Sequence, residues 1–143
     1  MRTVADLVGD NPTPVIRIDG GSKVFDAVKA MVDANIGAVL VTENGLPAGI
    51  FTERDYLRRI AVEGRTSHDT IVRDVMTAPV IYVKPDTSVE ETMALMSNKR
   101  IRHLPVVDGG DVVAMISIRD LIDFRAQEQS FHIQYLTDYI TAR

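Results

Sequence analysis

Two segments of the chain carry the same small set of reactive groups. In each, a hydroxyl residue follows an apolar run and precedes an aspartate by three positions: Thr52-Glu53-Arg54-Asp55 after Gly49-Ile50-Phe51, and Ser117-Ile118-Arg119-Asp120 after Ala114-Met115-Ile116. A hydroxyl residue that opens a helix directly after a strand leaves the first-turn N–H groups facing outward, where the positive end of the helix dipole favours an anion such as phosphate. The hydroxyl adds one more donor. An ionised aspartate one turn into the helix supplies two acceptor oxygens, which suit the vicinal hydroxyls of a ribose better than they suit a phosphate. The same spacing is also a capping box, in which both side chains serve only the helix end. Capping and ligand binding are compatible, so occupancy separates the two readings.

Little else in the sequence is equipped for chemistry. There is no cysteine, which excludes disulfides, thiolate nucleophiles and Cys-based metal centres and is compatible with a reducing compartment. His68, His103 and His132 lie far apart, without the His-x-x-x-His or Glu-x-x-His spacing of a metal site. His68 reads as a solvated side chain of the polar linker. Gly20-Gly21 and Gly109-Gly110 read as turns, because neither has the spacing or flanking lysine of a phosphate loop. Asp86, Glu90 and Glu91 read as charge favourable to a helix N-terminus. No nucleophile with its base and no catalytic carboxylate pair stands out, so the expectation is a protein that is not an enzyme and needs no cofactor. A formal net charge of -4 argues against a surface built for nucleic-acid backbones. The first eight residues lack the apolar core of a signal peptide, and no stretch approaches the roughly 18 to 20 apolar residues of a membrane span. The expected setting is the cytoplasm, with neither nucleic acid nor membrane as partner.

A duplication positions the two reactive segments. Shifted by 65 residues, the sequence pairs Pro14-Val15-Ile16 with Pro79-Val80-Ile81, Val24 with Val89, Met31 with Met96, Ile36 with Ile101, Val41 with Val106, Gly45 with Gly110 and Thr52 with Ser117, without a gap. A lead-in repeats as well, Val4-Ala5-Asp6-Leu7 resembling Val72-Arg73-Asp74-Val75, with extra residues before the proline in the first copy. Each copy reads as a short strand (residues 15–18 or 80–83), an amphipathic helix capped by Ser22 or Thr87, a hairpin turning at a glycine, and a second helix starting at Thr52 or Ser117. With 45% hydrophobic residues over 143 positions the chain is long enough to bury a core.

On these features the chain resembles the paired cystathionine-β-synthase (CBS) domains, or Bateman modules. The likeness runs over about residues 3–126 and is carried by the Val72 to Val80 lead-in, by His103-Leu104-Pro105-Val106-Val107-Asp108, and by Gly49-Ile50-Phe51-Thr52-x-x-Asp55 with its counterpart ending Ser117-x-x-Asp120. The resemblance implies an α/β (α+β) fold: a tandem pair of β-α-β-β-α units, residues 3–62 and 72–126, joined by linker 63–71, followed by a C-terminal helix over 127–143. It further implies pseudo-twofold packing through the sheets, nucleotide clefts between the units, and dimerisation into a flat disc. In the family, residues matching Asp55 and Asp120 bind ribose, and those matching Thr52 and Ser117 lie at or near the phosphate.

The two clefts differ in their cations. Gly37-Ala38 of the first copy is replaced by Arg102-His103, which reach phosphates in some family members, and Arg54, Arg58, Arg100 and Arg119 are candidates to enlarge the patch. The Asp120 cleft is therefore expected to prefer a phosphorylated ligand, although a lone surface arginine is commonly just solvated or paired. Adenine would lie against Val80, Leu104, Pro105 and Ile116 in one copy and Val15, Ile16, Ile36 and Phe51 in the other, with the backbone of Thr77 to Val80, including Pro79, reading the base edge. Ala114 stands where Gly49 stands in the first copy, and its methyl is expected to narrow the second cleft. The expected function is a regulatory module for an adenine nucleotide or related adenosyl ligand, AMP, ADP, ATP, S-adenosylmethionine or NAD(H), that signals to a protein partner. The alternative is a ligand-free association scaffold. Beyond the second repeat, Phe124, Phe131, Tyr135, Leu136, Tyr139 and Ile140 are spaced as one face of an amphipathic helix that needs cover from its own subunit, a sister subunit or another protein.

Overall fold

The computed structural model describes residues 2–10 and 12–141, and all of their side chains except those of Phe131, Tyr139 and Thr141. Helix α1 (Val4–Val8) leads to strand β1 (Arg17–Asp19), helix α2 (Val24–Ala34) and the hairpin of β2 (Ala38–Glu43) and β3 (Leu46–Thr52). Helix α3 (Glu53–Asp55) follows and opens at once into π-helical turns over Tyr56–Ala61. A 3-10 turn, Val72–Asp74, precedes helix α4 (Val89–Lys99), the hairpin of β4 (His103–Asp108) and β5 (Asp111–Ser117), and the long helix α5 (Ile118–Thr141). The fold is thus a mixed α+β pair of repeats. Both hairpins turn on two residues with positive φ, Asn44-Gly45 (53° and 78°) and Gly109-Gly110 (61° and 83°), the twist that two-residue hairpin turns require. Both also shift register at the same place, between Val41 and Thr42 and between Val106 and Val107.

The first strands differ from the sequence expectation. In the first repeat the strand lies at Arg17–Asp19, parallel to Leu40–Thr42. In the second it shrinks to a single parallel bridge between Val83 and Val106. The cause is Pro105. Its counterpart Leu40 donates its N–H to the Ile16 carbonyl at 3.0 Å, whereas proline has no N–H to give Ile81.

The helix caps also move by one residue. The residue preceding α2 is Lys23, which makes no side-chain cap, while Ser88 caps α4 by accepting the Glu91 N–H at 3.0 Å. Ser22 and Thr87 are engaged instead by the lead-ins. The Ser22 carbonyl accepts from Val72 N–H at 2.9 Å, and the Thr87 carbonyl accepts from Val4 N–H at 2.8 Å.

Those contacts show that the lead-ins are exchanged between the repeats. Thr3 bridges Ser88, and Val4 is wholly enclosed in the second core with Val83, Val89, Met96, Leu104 and Leu121. Conversely Ile71 bridges Lys23, and Val72 and Val75 lie in the first core with Val24, Met31, Val39, Phe51 and Ile60. A third cluster, Leu40 and Ile50 of the first repeat against Val112 of the second, closes the seam between the sheets together with Val15, Val107 and Met115. Arg17 crosses that seam to donate to the Val112 carbonyl at 2.8 Å, and Arg54 crosses to the Arg100 carbonyl at 3.1 Å.

Each lead-in thus stabilises the repeat to which it does not belong in sequence. Val4→Ala should lower the free energy of urea unfolding by about 2 kcal/mol, from two lost methyl groups and the cavity left behind. Hydrogen exchange should show the loosening first at the start of α4. Loosening confined to α2 would contradict the exchange.

Candidate functional site

Strand β3 runs straight into α3, and β5 into α5, so each aspartate is placed one helical turn beyond a buried strand end. At the first, Thr52 and Asp55 form a complete capping box: Asp55 Oδ2 accepts from Thr52 N–H at 3.0 Å and from the Thr52 hydroxyl at 3.1 Å, and Asp55 N–H donates to Thr52 Oγ1. The second carboxylate oxygen, Oδ1, accepts the hydroxyl of Thr77 at 2.9 Å. Asp55 is left 7% exposed.

Thr77 therefore belongs to the Asp55 cleft, not with Asp120 as the sequence grouping has it. Its own N–H and carbonyl pair with Ile50 at 2.8 and 3.0 Å, because the exchanged lead-in runs along the outer edge of β3. Gly49 permits that approach: a Cβ there would fall 2.6 Å from the Thr77 carbonyl oxygen and 2.8 Å from Met76 Sδ. Pro79, beyond the cis Ala78–Pro79 bond, is exposed, and Val80 is half-buried.

At the second cleft Asp120 accepts from Ser117 N–H at 2.8 Å, and its own N–H donates to Ser117 Oγ at 3.1 Å. Its other carboxylate oxygen has no partner among the described residues, and the side chain is exposed. Asp120 borders a cavity of about 290 Å³ walled by Pro12 and Thr13 on one side and Ala114, Met115 and Ile116 on the other. Ala114 lines this cleft, while in the copy with glycine the lead-in packs against the strand. Pro12, Thr13 and Asp123 were missed as cleft residues in the sequence reading. The lead-in duplication hints at the first two, but the exchange that brings them here has no local signal. A larger cavity, about 880 Å³, lies farther along α5, between Arg2 and Asp6 on one side and Gln129, His132 and Ile133 on the other. It shares Phe124 and Gln127 with the Asp120 cleft, and Arg2 pairs with Glu128 beside it.

The remaining candidates divide by burial. Leu104 and Phe51 are fully enclosed in the two cores and present no surface to a cleft, and Pro105 is buried beside them. Ile16 and Ile36 pack on the first core and Val15 on the seam. Arg54 is committed to the Arg100 carbonyl. Arg58, Arg102 and Arg119 are exposed and make no ion pair or side-chain hydrogen bond among the described residues. His68, expected to be solvated, is exposed yet stacks on Phe25 with ring centroids 4.3 Å apart.

His103 stands between the repeats. A Cβ on Gly37 would meet Glu53 Oε1 at 2.5 Å and His103 Nε2 at 3.1 Å, so the missing side chain makes room for an acid from one repeat and an imidazole from the other; Ala38, next in the chain, is buried. Burial lowers the imidazole below its ordinary value of 6.5, reinforced by Arg102 and opposed by Glu53 and Asp120.

A family model described as "CBS domain" matches residues 4–62 and again 72–127. The chain belongs to the CBS-domain family. Among curated relatives, the CBS domain-containing protein CBSX3, mitochondrial, of Arabidopsis thaliana is 44% identical over 122 residues, which cover 82% of the present chain and 59% of CBSX3. YhcV of Bacillus subtilis is 32% identical, covering 76% of this chain and 77% of its own. The chain spans less than two thirds of CBSX3 and only 19% of the related CBSCBSPB2. Among solved structures, a putative signal-transduction protein with CBS domains from Burkholderia ambifaria superposes with a TM-score of 0.84 at 42% identity, covering 89% of this chain and 96% of that one. The hexameric CBS-CP12 protein from bloom-forming cyanobacteria gives 0.75 at 29% identity, covering 84% and 70%.

The position of His103 in this CBS pair has a measurable consequence. An imidazole with a lowered folded pKa is protonated first in the unfolded chain, so its contribution to stability is complete above about pH 6.5 and is lost as the pH falls toward the folded value. Denaturation of His103→Asn at a series of pH values should show a shallower decline between about pH 7 and 5 than the parent chain. Parallel curves would remove His103 from the account.

Proposed function

We propose that the chain is a regulatory module that takes an adenine nucleotide or related adenosyl ligand between its repeats, and signals its presence instead of catalysing a reaction. The observation that carries this reading is Asp120, which lines a cavity at the start of a 24-residue helix and has one carboxylate oxygen without a partner among the described residues, with the uncommitted Arg119 next to it in the chain and Arg102 bonded through its carbonyl to Ile118. The helix N-terminus and the hydroxyl of Ser117 suit a phosphate, and the carboxylate suits a ribose. The apolar wall of Met115 and Ile116 suits a flat base. Membership of a family whose solved relatives include a putative signal-transduction protein supports the regulatory role. Binding becomes a signal when one arrangement of the repeats holds the ligand better than another.

A thermal-shift panel of AMP, ADP, ATP, S-adenosylmethionine and NAD(H) tests the reading. A true ligand at 100 times its Kd should stabilise the fold by about 2.7 kcal/mol. A panel with no shift, joined to mass spectrometry finding no co-purified adenosyl compound, would leave the association scaffold as the function.

Self-association forms part of the proposal. The end of α5 leaves Ile133, Leu136 and Ile140 exposed at helical spacing, and the hexameric CBS-CP12 neighbour supports assembly as a habit of such pairs. Truncation after Arg125 should lower the number of subunits read by light scattering. An unchanged subunit number would free the tail from that role.

A further inference from the structure

Repeat symmetry makes the two clefts equivalent in outline, but their side chains are not equivalent. Asp55 is covered by its own chain: Oδ2 accepts twice from Thr52, Oδ1 accepts the Thr77 hydroxyl, and the residue is 7% exposed, so little of the carboxylate faces outward. The Thr77 backbone is held in place by two bonds to Ile50, with its carbonyl and Met76 lying against Gly49. The Asp120 cleft shows no such closure among the described residues. Counted back from the shared proline, Pro14 or Pro79, Pro12 of the longer first lead-in takes the position of Thr77, and it has neither a hydroxyl for the aspartate nor an N–H for the Met115 carbonyl. Ala114 adds a methyl where Gly49 has none. The first lead-in consequently stands off β5, and the cavity of about 290 Å³ lies between them.

We propose that Thr77 decides occupancy: its hydroxyl takes the place on Asp55 that a ribose hydroxyl would need, so the chain holds one adenine nucleotide, at Asp120, and none at Asp55. This rests on the nucleotide reading above and narrows it. Thr77 is a specificity-determining residue of the pair, acting as a built-in stand-in for the sugar.

Isothermal titration of the full chain with AMP, ADP and ATP tests it through stoichiometry. The parent chain should take up one equivalent of whichever nucleotide binds. Asp120→Ala should weaken that event by about 10-fold or more, the loss expected for a hydrogen bond to a charged group. Thr77→Ala, which frees Asp55 Oδ1, should admit a second equivalent, and Thr77→Ser, which keeps the hydroxyl, should remain at one. Two equivalents in the parent chain, or one in a Thr77→Ala protein with native melting behaviour, would overturn the proposal. If Thr77→Ala does not fold, Thr77→Val, which keeps the volume and removes the hydroxyl, decides: a second equivalent upholds the inference, and one equivalent overturns it. Absence of binding in every protein would remove the nucleotide reading and this inference with it.

Discussion

The exchange of lead-in segments is the constraint on which the rest of the molecule depends. Neither repeat closes its own core, since Val4 seals the second and Val72 and Val75 seal the first. Each of these side chains is essentially out of solvent, a burial worth on the order of 1.5–3 kcal/mol apiece. Each lead-in then continues from the core it seals to the cleft of the same repeat. Val72 and Val75 anchor the stretch that brings Thr77 to Asp55, and Val4 anchors the stretch that brings Pro12 and Thr13 to the cavity beside Asp120. The packing that stabilises the pair and the walls that shape its clefts are continuous pieces of the same chain.

Much of this was legible in the residues. The offset of 65, the hairpins turning at glycine and the hydroxyl-to-aspartate spacing all survive in the fold, because each is a local pattern with a local cause. Other features were not legible locally. Ser22 and Thr87 look like caps, yet their backbones are spoken for by segments about 50 and 83 residues away, and the side-chain caps shift accordingly. Thr77 sits in sequence beside the second repeat and in space beside the first, which only the exchange explains. One discrepancy was readable in principle: Pro105 cannot donate to a neighbouring strand, so the shortened first strand of the second repeat follows from composition alone.

Duplication supplied the chain with two clefts, and small departures from symmetry made them chemically distinct. Gly37 against Arg102, Ala38 against His103 and Gly49 against Ala114 are each a change at one register position, and Thr77 against Pro12 is a change in a lead-in that is longer in the first copy. The first of these leaves room at the centre for Glu53 and His103 to face one another across the pseudo-axis. An imidazole from one repeat and a carboxylate from the other thus share the place where the halves meet.

Helix α5 begins at the cleft with Ser117 and Asp120, forms the wall between the two cavities with Phe124 and Gln127, and ends with the apolar residues of the tail. It is unbroken over 24 residues, about 36 Å at 1.5 Å per residue. A rotation of about 10° at its base would sweep the far end through about 6 Å, comparable to a whole helical turn. The rod therefore magnifies whatever happens at its root, and an adjustment too small to disturb the cores would be read out at the tip as a change of position.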